Sequence, residues 1–198
     1  MKKFELTNES IKINGKKLYR IKALINFANV KVGDFGGYVE TEENLSHYGN
    51  AWIYDDAYVY DNAKICDNAC VDGYSEIYGN AYIYGNAHIR DNAEIYGDAK
   101  IFDNTEIYDN VKIYGDAKIY GDAEIFYNAE IYNNAKICGN AKIYDNAKVY
   151  GNAKIYGDAK IYNNAKIYDN AKIYGDIEIY SDTENYTIIK ICDNNYTF

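Results

Sequence analysis

The chain has 198 residues, no proline, 25 tyrosines and a formal net charge of −9, and its size suits one domain or one repeat array. Net acidity argues against general nucleic-acid binding, which needs a basic footprint. No run approaches the ~18 apolar residues of a membrane span. Charge is uneven along the chain: residues 1–50 carry +2, residues 51–110 carry −9 and residues 111–175 carry +2. Solubility accounts for these bands as well as end-to-end steering does. The opening MKKFELTNES lacks the apolar stretch of a signal peptide, so a cytoplasmic location is expected.

Residues 4–24 read as short strands. Ile11–Ile13 and Leu18–Ile21 flank Asn14-Gly15, a dipeptide that favours a type I′ hairpin turn. So short a hairpin needs a surface to dock on, and the open first rung of a repeat array needs a cap. Residues 1–50 are therefore expected to form a β-hairpin and an irregular entry. Within it, Gly33, Gly36 and Gly37 suggest tight backbone or positive φ. Val39 and Leu45 are six apart, but Ile53 follows eight later, so two residues should bulge near Ser46-His47-Tyr48.

From Ile53 to Ile179 an aliphatic residue returns at every sixth position, giving 22 consecutive hexads. A fixed short period decides architecture before local propensity does. In Ala63-Lys64-Ile65-Cys66-Asp67-Asn68, strand alternation puts Ala and Ile on one face and Lys and Cys on the other. The last two positions are corners: Asn or Asp fills the second in 21 of the 22 hexads, Tyr74 being the departure. Asn, Asp and Gly tolerate left-handed backbone, so the chain can turn every sixth residue. Strand and corner in alternation around a narrow Ile/Ala interior make a parallel β-solenoid over residues 51–183, with residues 184–198 as a strand-like C-terminal cap.

The hexad resembles the repeat of the hexapeptide-repeat, left-handed parallel β-helix proteins, many of which are acyltransferases. The resemblance implies an all-β triangular solenoid with three hexads, or 18 residues, per coil, hence about seven coils. Left-handedness is implied by the resemblance alone. Arg20-Ile21-Lys22-Ala23-Leu24, Gly33-Asp34-Phe35-Gly36-Gly37-Tyr38-Val39-Glu40, Asn44-Leu45-Ser46 and Gly49-Asn50-Ala51-Trp52 resemble a YdcK-like subset, transferase-like with no established reaction.

With 18 residues per coil, the position after each aliphatic anchor forms three outward columns. One is all tyrosine: Tyr60, Tyr78, Tyr96, Tyr114, Tyr132, Tyr150 and Tyr168. A second runs Cys66, Tyr84, Phe102, Tyr120, Cys138, Tyr156, Tyr174, and a third runs Tyr54, Asp72, Arg90, Tyr108, Phe126, Tyr144, Tyr162, Tyr180. Lys100, Lys118, Lys136, Lys154 and Lys172 precede the anchors of the second face. Stacked tyrosines stabilise neighbouring rungs, and a flat tyrosine face also suits an interface.

The resemblance also implies a histidine base at a subunit interface and acyl-coenzyme A along the coil. His88, outward on the third face, and His47, in the bulge, are the catalytic candidates. However, the 22 hexads lack the long acceptor loop that acyltransferases of this fold commonly insert. Cys66 and Cys138 are four coils apart, too far for joint ligation, so no metal is expected.

The first reading is thus a non-catalytic binding or assembly protein whose tyrosine faces take a second copy, as a dimer or trimer, or a protein partner. It needs no cofactor, membrane or direct nucleic-acid contact. Its alternatives are an acyltransferase using acetyl-coenzyme A or another acyl-coenzyme A, and an acidic rod that mimics nucleic acid.

Overall fold

The computed structural model describes residues 2–181; the C-terminal segment 184–198, with Cys192, lies outside them. The described chain is all β, apart from one 3-10 turn at Glu42–Asn44. Strand β1 (Phe4–Ile13) pairs antiparallel with β2 (Lys16–Ala23). Asn14 and Gly15 between them take φ of 49° and 81°, the left-handed pair that a type I′ turn requires. Strand β3 (Phe35–Val39) runs antiparallel to β2 and parallel to the strand at Tyr58–Val59.

Beyond β3, short strands centred on each anchor stack in three parallel sheets of 10, 8 and 7 strands, the first also containing β1 to β3. Pairing advances by one 18-residue coil: Ile77 opposes Ile95, and Ile95 opposes Ile113. Each rung bonds to the next through amides reaching the carbonyl 17 residues ahead, as in Cys66 N to Ile83 O at 3.0 Å. The eight-stranded sheet gives about eight turns. The other two faces hold seven hexads each, and Val39 and Leu45, stacked beneath Val59 and Ile65, bring them to eight rungs, so the turns exceed the seven that 22 hexads alone give.

The interior follows from the alternation. The anchors from Ile53 to Ile173 are 0% exposed, and the alanines between them are at most 1% exposed. A small residue opposite a large one fills a narrow lumen with little void. At the corners, every first position from 55 to 175 has positive φ, whether it is Gly, Asp, Asn or, at 127, Tyr. Gly97 shows why many of these are glycine: a Cβ there would lie 2.8 Å from the Gly115 amide nitrogen of the next coil. Where Asp replaces Gly, its carboxylate can accept the N–H of the corner above, as Asp67 does from Gly85 at 3.1 Å. Second-corner asparagines form amide ladders along the edges, such as Asn50 to Asn68 to Asn86 to Asn104, at 2.9–3.0 Å.

The entry segment supplies donors to first-coil carbonyls. Tyr38 N and Glu40 N bond Ala57 O and Val59 O, and Ser46 N bonds Ile65 O. Asn44, buried, donates to Asp61 O and Ala63 O at 3.0 and 2.9 Å, and the buried Lys3 amine donates to Ala51 O at 2.7 Å. Gly37 permits the close approach, since a Cβ would sit 2.3 Å from Ala57 O. Among the described residues, no helix is long and apolar enough to cross a membrane.

Candidate functional site

The all-tyrosine column forms as an unbroken stack. From Tyr60 through Tyr168, successive rings lie 4.7–5.3 Å apart and within 10° of parallel. Stacking hides the ring faces and turns the edges and hydroxyls outward, so the column is half-buried and amphipathic. Burial pushes the Tyr132 phenol up to about 12, with help from Tyr150 and Tyr114 on either side.

The two ends of the column differ. Tyr60 is 2% exposed, clustered with Leu18 and Tyr38 and packed by Ile11, Ile13 and Tyr78. The hairpin tip is fastened there: Asn14 donates to the Tyr60 hydroxyl at 3.0 Å, and Lys16 pairs with Glu40 at 3.1 Å and with Asp61. Tyr60 is therefore consumed by the chain's own N-terminus. The column from Tyr96 to Tyr168 continues beyond the hairpin. The second and third faces also stack their rings, from Tyr84 to Tyr120 and from Tyr108 to Tyr180.

Charges are arranged differently on the three faces. Glu and Lys are mixed on two of them, with pairs across rungs such as Lys112–Glu94 at 2.6 Å and Lys142–Glu124 at 2.8 Å. On the seven-stranded sheet, Lys100, Lys118, Lys136, Lys154 and Lys172 stand directly opposite one another, a like-charge column that costs stability.

Neither histidine is a bare surface residue. His47 stacks on Phe4 with ring centroids 4.4 Å apart, and its Nδ1 accepts the Lys3 amide at 3.3 Å. Its Nε2 lies 3.4 Å from Glu42. These contacts make His47 part of the packing that holds β1 against the entry segment. His88 lies on the eight-stranded sheet directly above Cys70, and its Nε2 is 2.8 Å from Asp72 Oδ2. The hydrogen bond with Asp72, followed by one with Cys70, pushes the His88 imidazole up to about 10.

The outward columns read from the sequence place Asp72 one rung from Arg90, a possible neighbour for His88, and leave Cys70 out. The structure supplies the relation that the period alone does not: an outward residue after one anchor leans toward the residue before the anchor of the next coil, 16 positions on. Arg90 obeys the same rule and reaches Glu106 at 3.1 Å while lying over the Tyr108 ring. Asp72 is thereby left to His88. His47 and His88 sit in separate clusters, the first with Phe4 and Glu42 and the second with Cys70 and Asp72. No protein-family model matches the chain, and no curated protein matches its sequence.

Proposed function

We propose that this protein is a non-catalytic assembly module: a rigid rod of the hexapeptide-repeat, left-handed β-helix kind, whose tyrosine column binds a second copy of the chain, as a dimer or trimer, or a protein partner. The observation that carries this reading is the docking of the chain's own hairpin. Leu18 clusters with Tyr60, and Ile11 and Ile13 pack against that cluster as Tyr78 does, so this surface already accepts an apolar β segment at one end. The same ring chemistry continues to Tyr168. Tyrosine is enriched in interfaces because its body is apolar and its hydroxyl finds partners.

The test is particle mass in solution. Light scattering should give more than one chain per particle, and Tyr114→Glu combined with Tyr132→Glu should lower that number. Both residues lie mid-column, clear of the hairpin. A monomer whose mass and partner binding are untouched by the double change would overturn the reading.

A second reading, acyl transfer from acetyl-coenzyme A or another acyl-coenzyme A with His88 as base, draws on the Asp72 contact, since a carboxylate orients a catalytic imidazole. The same contact weakens it, because a pKa raised to about 10 keeps the ring protonated near neutrality, and a general base needs the free lone pair. Acetyl-coenzyme A should accordingly leave the melting temperature unchanged; a rise that disappears in His88→Ala would restore the enzyme reading.

A further inference from the structure

Outward positions of the repeat hold Tyr, Phe, Lys or Glu almost throughout, and the departures are few. Three of them converge. Cys70 replaces the usual charged residue before its anchor, Asp72 replaces the aromatic residue after it, and His88 replaces the charged residue one coil above. Folding brings one sulfur, one carboxylate oxygen and one imidazole nitrogen within 4.8 Å of one another. The cluster interrupts the aromatic column of the eight-stranded sheet. It is half-buried, with 35% of the His88 side chain and 26% of the Asp72 side chain exposed. Tyr54 follows the anchor one coil below, where Trp52 and Ile53 oppose Cys70 and Val71.

We propose that Cys70, Asp72 and His88 form a binding site for a divalent transition metal ion, with Zn²⁺ the ion that fits best. The donor set is the argument. One thiolate, one imidazole and one carboxylate are the ligand types that Zn²⁺ takes, whereas Ca²⁺ and Mg²⁺ prefer oxygen alone. Zinc bonds of about 2.0–2.3 Å place tetrahedral donors about 3.3–3.8 Å apart, which side-chain rotation can reach from the observed spacing. The three residues stand on rigid adjacent rungs, Cys70 opposing His88 in register, so the backbone need not move. Arg90 is turned away toward Glu106 and Tyr108. It does not occupy the Asp72 carboxylate. Three protein donors leave a fourth position for water or an outside donor. Binding displaces a proton from the thiol and the one shared by Asp72 and His88, so charge is conserved. The site lies on a different sheet from the all-tyrosine column and does not rest on the assembly reading.

Co²⁺ is the probe, because it takes zinc sites and reports thiolate bonding by a near-ultraviolet charge-transfer band. The full-length protein, reduced and metal-free, should bind one Co²⁺ per chain with that band, and Zn²⁺ should displace it. Cys70→Ser should abolish the band. Asp72→Asn and His88→Gln should each weaken Zn²⁺ binding at least about tenfold, and Cys138→Ser should change nothing. All four changes are outward and conservative, and circular dichroism would verify the fold. Absence of the band, or Zn²⁺ binding that persists unchanged in Cys70→Ser and His88→Gln, would overturn the proposal.

Discussion

Among the described residues, two hydroxyls occupy inward positions that the repeat normally gives to alanine, and their situations differ. Thr105 donates to Phe102 O at 2.7 Å, so its burial is compensated. Ser75, 0% exposed, has an Oγ with no hydrogen-bond partner. A buried unpaired polar atom costs roughly 1–3 kcal/mol. Ser75→Ala, which restores the repeat, should therefore stabilise the fold by about 1 kcal/mol, seen as a higher denaturant midpoint at unchanged slope. A lower midpoint would mean that Ser75 is satisfied in solution. Alternation alone placed both residues in the core. Whether each finds an acceptor depended on side-chain rotation about a single bond, which no periodicity records.

At the scale of elements, the entry segment does for the first coil what each coil does for the one above it. Stacked rungs satisfy their own carbonyls, but the first rung has no coil beneath, and its carbonyls need donors from elsewhere. Asn44 supplies two of these donors from one side chain. Its amide nitrogen reaches two carbonyls, and its oxygen accepts the Thr41 N–H at 2.9 Å. Asn44→Ala should destabilise by about 2–3 kcal/mol, since buried carbonyls are left unpaired. Amide exchange should rise first in the strands of the first coil and last in the middle of the rod. Uniform exchange along the rod would show that Asn44 is not a local fastener. The Asn14-Gly15 turn was legible because only a few residue pairs tolerate its dihedral angles. The path of residues 25–50 was not, because it depends on close approaches such as that of Gly37 to Ala57 O.

For the whole molecule, the tyrosine stacks couple folding to pH. The Tyr132 phenol is raised to about 12 by burial and its ring neighbours. Tyr120 is also raised to about 12, first by its hydrogen bond with Cys138 and then by burial. Burial pushes Tyr114, Tyr144 and Tyr150 up as well. A phenol near 10 in the unfolded chain and higher in the folded one favours folding below pH 10. That contribution is lost as pH rises through 10 toward 12, because only the unfolded chain ionises freely. The rod should unfold cooperatively in that window, with phenolate absorbance appearing together with loss of the β circular-dichroism signal. Tyrosines that titrate near pH 10 while the fold persists would contradict this.

In a solenoid each residue's neighbours lie at fixed sequence offsets, so the sequence by itself determined the interior, the corners, the three outward columns and the lysine row. Tertiary structure decided the lean of outward side chains, which pairs positions 16 apart as well as 18 and thus joined Asp72 to His88. It also decided where the aperiodic N-terminus goes, and so which end of the tyrosine column the hairpin occupies. The physical reason is the same in both cases. A repeat prints its own contacts in its period, while side-chain torsions and an aperiodic segment take their positions from shape and hydrogen bonding that exist only once the coils are stacked.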